Sequence, residues 1–163
     1  MSTGKIVAGV LLGAGAIATA VHFTRWKNVS AFDDLIKKHA QANGIEPSLV
    51  KAVIATESGF DPAASRFEPH LNDSSFGLMQ VLTHTAGDVG VSADELKTPE
   101  GGIIAGTRYL RIMFKTFNGD EAKAIMAYNA GPGRIGSGHS NWPYWYRVKF
   151  NQLALELAGK GIA

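Results

Sequence analysis

Apolar residues recur along this chain at spacings of three and four, the period of an α-helix. Between Pro47 and Phe60, the residues Val50, Val53 and Ile54 fall on one helical face, and Glu57 ends that stripe. Pro47 suits a first helical position, because its missing N–H would go unpaired there. Ser58-Gly59 stops the helix and Asp61-Pro62 turns the chain away. Upstream, Phe32, Leu35, Ile36 and Ala40 predict a helix over Ser30–Asn43, with Ser30 and Asp33 as a capping pair and Asn43-Gly44 as the stop. Downstream, Thr83 opens a short helix to Asp88, and Ser92-x-x-Glu95 caps another turn. Thr98-Pro99 opens a long helix with Ile103, Thr107, Leu110, Phe114 and Phe117 on one face, closed by Asn118-Gly119. Asp120 caps a helix that carries Ile125, Tyr128 and Asn129 and breaks at Gly131-Pro132-Gly133. Pro143 starts a last helix with Tyr144, Val148 and Leu155 facing inward.

No segment alternates with period two, so the fold expected for residues 28–158 is all-α, followed by a frayed tail over 159–163. Asp61–Ser75 holds two prolines and mixed charge and reads as a long irregular loop. Loops of that length in a small domain are often functional. This one contains Arg66, Glu68 and His70.

Residues 1–27 follow a different pattern. Ile6 to Thr24 is apolar throughout, with His22 its only ionisable group. As a helix these 19 residues would span about 28 Å, close to a bilayer core of roughly 30 Å. Trp26 suits a membrane interface. A retained membrane anchor is the favoured reading. It competes with a signal peptide cleaved after Ala18-Thr19-Ala20 and with a buried soluble helix. Gly9-x-x-x-Gly13 could let such a helix pack closely against another. Lys5 with the α-amino group on one side balances Arg25 and Lys27 on the other, so charge alone leaves the orientation open.

Composition narrows the chemistry. The chain has 163 residues, 45% hydrophobic and 18% charged, with a formal charge of +2. That size suits one domain with a proper core. The charge is too small to argue for nucleic acid. There is no cysteine, hence no disulfide framework. His22, His39, His70, His84 and His139 are scattered without ligand spacing, so neither a metal nor a cofactor is expected.

Glu57 remains the candidate of interest. A carboxylate closing a buried stripe is costly when charged, and its usual relief is a raised pKa. A protonated carboxyl in a sheltered groove can serve as a general acid. The plainer reading is a solvated glutamate at a helix end. Two further segments weigh against it.

Glu57-Ser58-Gly59-Phe60, Gly77-Leu78-Met79-Gln80-Val81 and Ala127-Tyr128-Asn129-Ala130-Gly131, in that order, resemble the lytic transglycosylases of the soluble-transglycosylase type. Asp61-Pro62-Ala63-Ala64-Ser65 and Gly106-Thr107-Arg108-Tyr109-Leu110 extend the likeness, which covers roughly residues 30 to 136. The resemblance implies a lysozyme-like fold and peptidoglycan glycan strands as substrate. It implies that Glu57 acts as acid and then base, with Tyr128 beside it as a second catalytic residue. Ser58 and Met79 would line the cleft, and Gln80 and Asn129 would bind sugar hydroxyl or acetamido groups. The segment from Ser65 to Phe76 is longer than in the shortest members, and Gly102 stands where many have asparagine.

A single acid distinguishes this chemistry from ordinary glycosidases, which need two carboxylates. Glu68 keeps a hydrolytic alternative open. A catalytically silent part of an envelope-spanning assembly is the non-enzyme alternative. With the anchor, the expected place is a membrane surface with the domain in the periplasm. The setting is a virion or a secretion or conjugation machine.

Overall fold

The computed structural model describes Trp26 and residues 28–162. The expected anchor over residues 6–24 lies outside the described residues. Among them, no helix is long and apolar enough to cross a membrane.

The helices form close to where periodicity and caps put them. Helix α1 runs Asp33–Asn43 and α2 Pro47–Glu57. Next come α3 over Thr83–Asp88, α4 over Ala93–Leu96 and α5 over Pro99–Thr116. The last three are α6 over Glu121–Ala130, α7 over Pro132–Gly136 and α8 over Trp142–Leu157. Ser92 and Glu95 form a full capping box, and Thr98 and Asp120 accept from the backbone N–H groups of Gly101 and Lys123. Gly44 takes a left-handed φ of 66° and lets the Ile45 N–H reach the Ala40 carbonyl at 2.9 Å, as a helix stop requires. The Ser30–Asp33 cap does not form. Residues 28–32 are a turn, and α1 starts from Phe32 without a side-chain cap.

The all-α expectation needs correction at one place. Ser65–Glu68 and Asp73–Phe76 are antiparallel strands β1 and β2, and Val81–Leu82 adds a short β3 in the order β1-β2-β3. The expected loop is therefore a hairpin, with Arg66 opposite Ser75 and Glu68 opposite Asp73. Only Ser75 of β1 and β2 is buried, so the strands carry no apolar alternation that the sequence could have displayed.

Helix α2 is the centre of the domain. Pro47 and every residue from Leu49 to Ala55 are buried, so it is enclosed on all sides. It packs against α1 and α8. Enclosure extends to Lys51, whose Nζ meets Asp33 Oδ1 at 2.6 Å, the pairing a buried ammonium requires. At the C-terminal end, Lys160 donates to the Leu155 carbonyl at 2.9 Å and Ile162 packs on the core.

Candidate active site

Glu57 is the last residue of α2. It therefore stands where a fully packed helix meets open space. A cavity of about 980 Å³ on one side is lined by Glu57, Ser58, Asp61, Tyr146, Arg147 and Trp26, among others. A second cavity of about 380 Å³ is lined by Glu57, Glu68, Gln80, Tyr109, Tyr128 and Asn129, among others. Glu57 lines both, and the two flank it as a cleft.

The carboxyl is held from α8. Tyr144 Oη donates to Glu57 Oε1 at 2.6 Å. Two more polar links bind the same pair of helices. Asn151 Nδ2 donates to Thr56 Oγ1 at 2.9 Å, and Gln152 Nε2 to Ser48 Oγ at 2.8 Å. These three links fix α8 in rotation on α2 and so aim the Tyr144 hydroxyl. Burial raises the Glu57 pKa above the ordinary carboxylate range. The Tyr144 hydrogen bond and the charges of Arg66 and Arg147 pull it back, while Glu68 pushes it up. Burial and the Glu57 charge keep the Tyr144 hydroxyl protonated, well above a usual phenol.

The opposite wall is the hairpin. Arg66 donates through Nε to Glu68 Oε1 at 2.5 Å, and His70 Nδ1 lies 4.0 Å from Glu68 Oε2. Gln80 ties this wall down. Its backbone is left-handed, with φ 47°, and its amide donates to the Ala64 and Gly77 carbonyls at 3.0 and 2.9 Å. Its Oε1 accepts from Ser75 Oγ at 3.1 Å.

Residues 34–142 match the family described as the Transglycosylase SLT domain. The chain belongs to this family. Among the relatives of this SLT domain, the peptidoglycan transglycosylase gp16 of Escherichia phage T7 is 38% identical over 117 residues, covering 68% of this chain and 8% of that protein. Membrane-bound lytic murein transglycosylase C of Edwardsiella ictaluri is 35% identical over 126 residues, covering 67% of this chain and 33% of that protein. The chain thus spans a third or less of the length of these relatives. The 70 kDa soluble lytic transglycosylase of Escherichia coli superposes with a TM-score of 0.61 at 26% identity, covering 80% of this chain and 25% of that one. The mostly helical, lysozyme-like fold is that of the SLT domain.

Within the SLT domain, the expected site residues separate into two groups. Glu57, Ser58, Gln80, Tyr128 and Asn129 line the two cavities. Met79 does not. Its side chain is fully buried and fills the space that a Cβ at Gly106 would occupy. Only its carbonyl reaches the site, where it accepts from Tyr128 Oη at 2.8 Å. Tyr128, expected beside Glu57, lines the smaller cavity with it. Its hydroxyl is committed to Met79, and its ring packs on Tyr109 with centroids 5.4 Å apart. The hydrogen bond to Glu57 comes from Tyr144, which the helical pattern marked only as inward-facing. Ser58 donates to the Leu78 carbonyl at 2.8 Å and joins α2 to the Gly77–Val81 turn. Both amide hydrogens of Gln80 are used within the protein, so it shapes the cleft and has no free donor for a sugar. Asn129 is exposed, and its Oδ1 accepts from Asn141 Nδ2 at 2.9 Å.

Proposed function

We propose that this domain cleaves peptidoglycan glycan strands between N-acetylmuramic acid and N-acetylglucosamine as a lytic transglycosylase, with Glu57 as its single acid and base. The observation that carries this reading is the position of Glu57. It lines both cavities, its pKa is raised by burial, and one tyrosine hydroxyl orients it.

In the first step Glu57 gives its proton to the glycosidic oxygen as the bond to the muramic C1 breaks. The substrate's 2-acetamido oxygen stabilises the cationic centre. The carboxylate then takes the proton of the muramic C6 hydroxyl, whose oxygen closes on C1. Glu57 ends protonated, no water is consumed, and the product is a 1,6-anhydro sugar. Tyr144 supports both halves. Its hydrogen bond stabilises the carboxylate between the steps and holds the reactive oxygen in place. Tyr128 acts at one remove, by fixing the Met79 carbonyl and the wall behind the acid. Asn129 keeps an amide N–H₂ for a sugar hydroxyl or acetamido group.

Glu68 supports a second reading, since it lines the same cavity as Glu57. Hydrolysis would need it as the other carboxylate. Its bond to Arg66 argues against that use. Mass spectrometry of digested glycan separates the two. Anhydromuramic ends, each one water lighter than a reducing end, are expected. Reducing ends as the main product would transfer the reaction to a Glu57–Glu68 pair.

The cleft's substrate lies outside a cytoplasmic membrane, so the anchor reading of residues 6–24 places the domain on the outer side. One relative is named as membrane-bound and another is a phage protein. Both names support work at the envelope, including that of a virion opening the wall.

A further inference from the structure

Helix α8 has two faces. Its inner residues Tyr144, Val148, Asn151 and Leu155 are buried. On the outer side, Trp142, Tyr146, Leu153 and Leu157 are 45%, 63%, 53% and 70% exposed, and Phe150 lies among them at 54%. At 100° per residue these five positions fall within an arc of about 80°. They make one continuous band along a helix about 24 Å long. An apolar band of this extent marks an interaction site, because scattered exposure would not follow one helical face. Trp142, Trp145 and Tyr146 further join their rings edge to face at one end of it.

Two observations point to the occupant. Trp26 and Asn28 wall the same cavity as Tyr146 and Phe150, and the Trp26 ring packs on Phe60 with centroids 5.9 Å apart. Only Arg25 separates Trp26 from the uncharged apolar run Ile6–Thr24. Trp26, two residues past the end of that run in sequence, therefore sits beside the outer side of α8. Basic groups also border the band. Arg147 lies on one edge; on the other, Lys149 pairs with Glu121 Oε1 at 3.1 Å and the exposed Glu156 stands beside it; Lys160 lies past the end, and Arg25 and Lys27 follow the apolar run in sequence.

We infer that the outer face of α8 rests on a lipid bilayer surface. Trp142 and Tyr146 have the amphipathic rings that settle at the headgroup level. Leu153 and Leu157 reach toward the acyl boundary, as in helices that lie in the interface. Arg147, Lys160, Arg25 and Lys27 meet anionic headgroups. A second copy or a protein partner gives no reason for the band to begin where an apolar run of bilayer length ends. A bilayer does, since both then enter one plane. The larger cavity beside Glu57 shares Tyr146 and Phe150 as wall, so it adjoins the lipid-facing side of α8. The domain then works on strands that run close to the membrane.

This inference rests on residues 6–24 being a membrane segment. The chain contains no cysteine, so single Leu153→Cys, Leu157→Cys and Asp94→Cys variants of the full chain take one environment-sensitive fluorophore each. Asp94 lies on α4 and is almost fully exposed. The labelled chains are mixed with vesicles of phosphatidylethanolamine and phosphatidylglycerol, with and without brominated tails. The chain should sediment with the vesicles. Brominated lipid should cut the emission of the 153 and 157 labels at least about twofold and leave the 94 label unchanged. Sedimentation without quenching at 153 and 157 overturns the α8 inference and leaves the anchor. Failure to sediment overturns both. Burial of those labels without lipid, in a second copy or under soluble glycan, gives the face to that occupant and also overturns it. Glycan cleavage is read separately, from the products.

Discussion

Glu57 stands between two walls of opposite character. The helical wall, α2 with α8, is dry and fully packed. Val53, Ile54, Tyr144 and Val148 are all but completely buried there, and three side-chain hydrogen bonds, Tyr144–Glu57, Asn151–Thr56 and Gln152–Ser48, cross it. The hairpin wall is wet and ionic. Phe67 and Leu71 are 57% and 52% exposed, and Arg66, Glu68 and His70 form its charge cluster. The contrast separates two tasks. Desolvation from the packed side sets the direction of the acid's pKa shift, and ionic groups on the open side only trim it. A carboxyl enclosed by two dry walls could not meet a sugar. One between two wet walls would be ionised near neutral pH and could not donate.

Removing the acid breaks this arrangement most severely. Glu57→Gln keeps the shape but has no proton to give, and cleavage should fall at least ~10²-fold in a turbidity assay on purified peptidoglycan. The same variant tests the dry wall. Because the folded-state pKa of Glu57 is raised, its contribution to stability is fully present below the unfolded pKa and is lost as pH rises through the folded value. Glutamine does not titrate. The variant should therefore match the parent in melting temperature in acid and exceed it in mild alkali. Equal melting at both ends would show a carboxyl that burial does not penalise.

Loosening the packed wall comes next. Ile54→Ala, at a position with no exposure, should cost about 2–5 kcal/mol in denaturant unfolding. Tyr144→Phe is smaller and sharper. It removes one hydrogen bond to a charged group, about 1.5 kcal/mol or more, so the rate should fall roughly tenfold. It also removes an influence that lowers the Glu57 pKa, so the alkaline limb of the pH–rate profile should move up. A limb that moved down would detach the hydroxyl from the acid. The least effect is expected on the wet wall. Phe67→Ala should change stability by no more than about 0.5 kcal/mol, since the ring is already in water.

What could be read before folding differs between the two walls for a physical reason. Helix stops and caps are interactions within one turn, and Gly44, Ser92, Thr98 and Asp120 act where their spacing put them. The hairpin was hidden because both its strands are largely exposed and show no alternation. Pro69 and Asn72, the latter at a left-handed φ of 49°, were its one turn signal.

Glu57 was legible because local order alone sets it at the end of an apolar helix, and the family motif around it is contiguous. Its hydrogen-bond partner was not. Tyr128 and Tyr144 are both buried tyrosines on inward helix faces, and nothing within their own segments distinguishes them. The choice belongs to how α8 lies on α2, across 87 residues of chain. Rotated differently, α8 would carry the Tyr144 hydroxyl away from the acid. Asn151–Thr56 and Gln152–Ser48 hold that rotation. Periodicity assigns a residue to a face, but a hydroxyl finds its acceptor within about 3 Å, and that distance is set by the packing of two helices against each other.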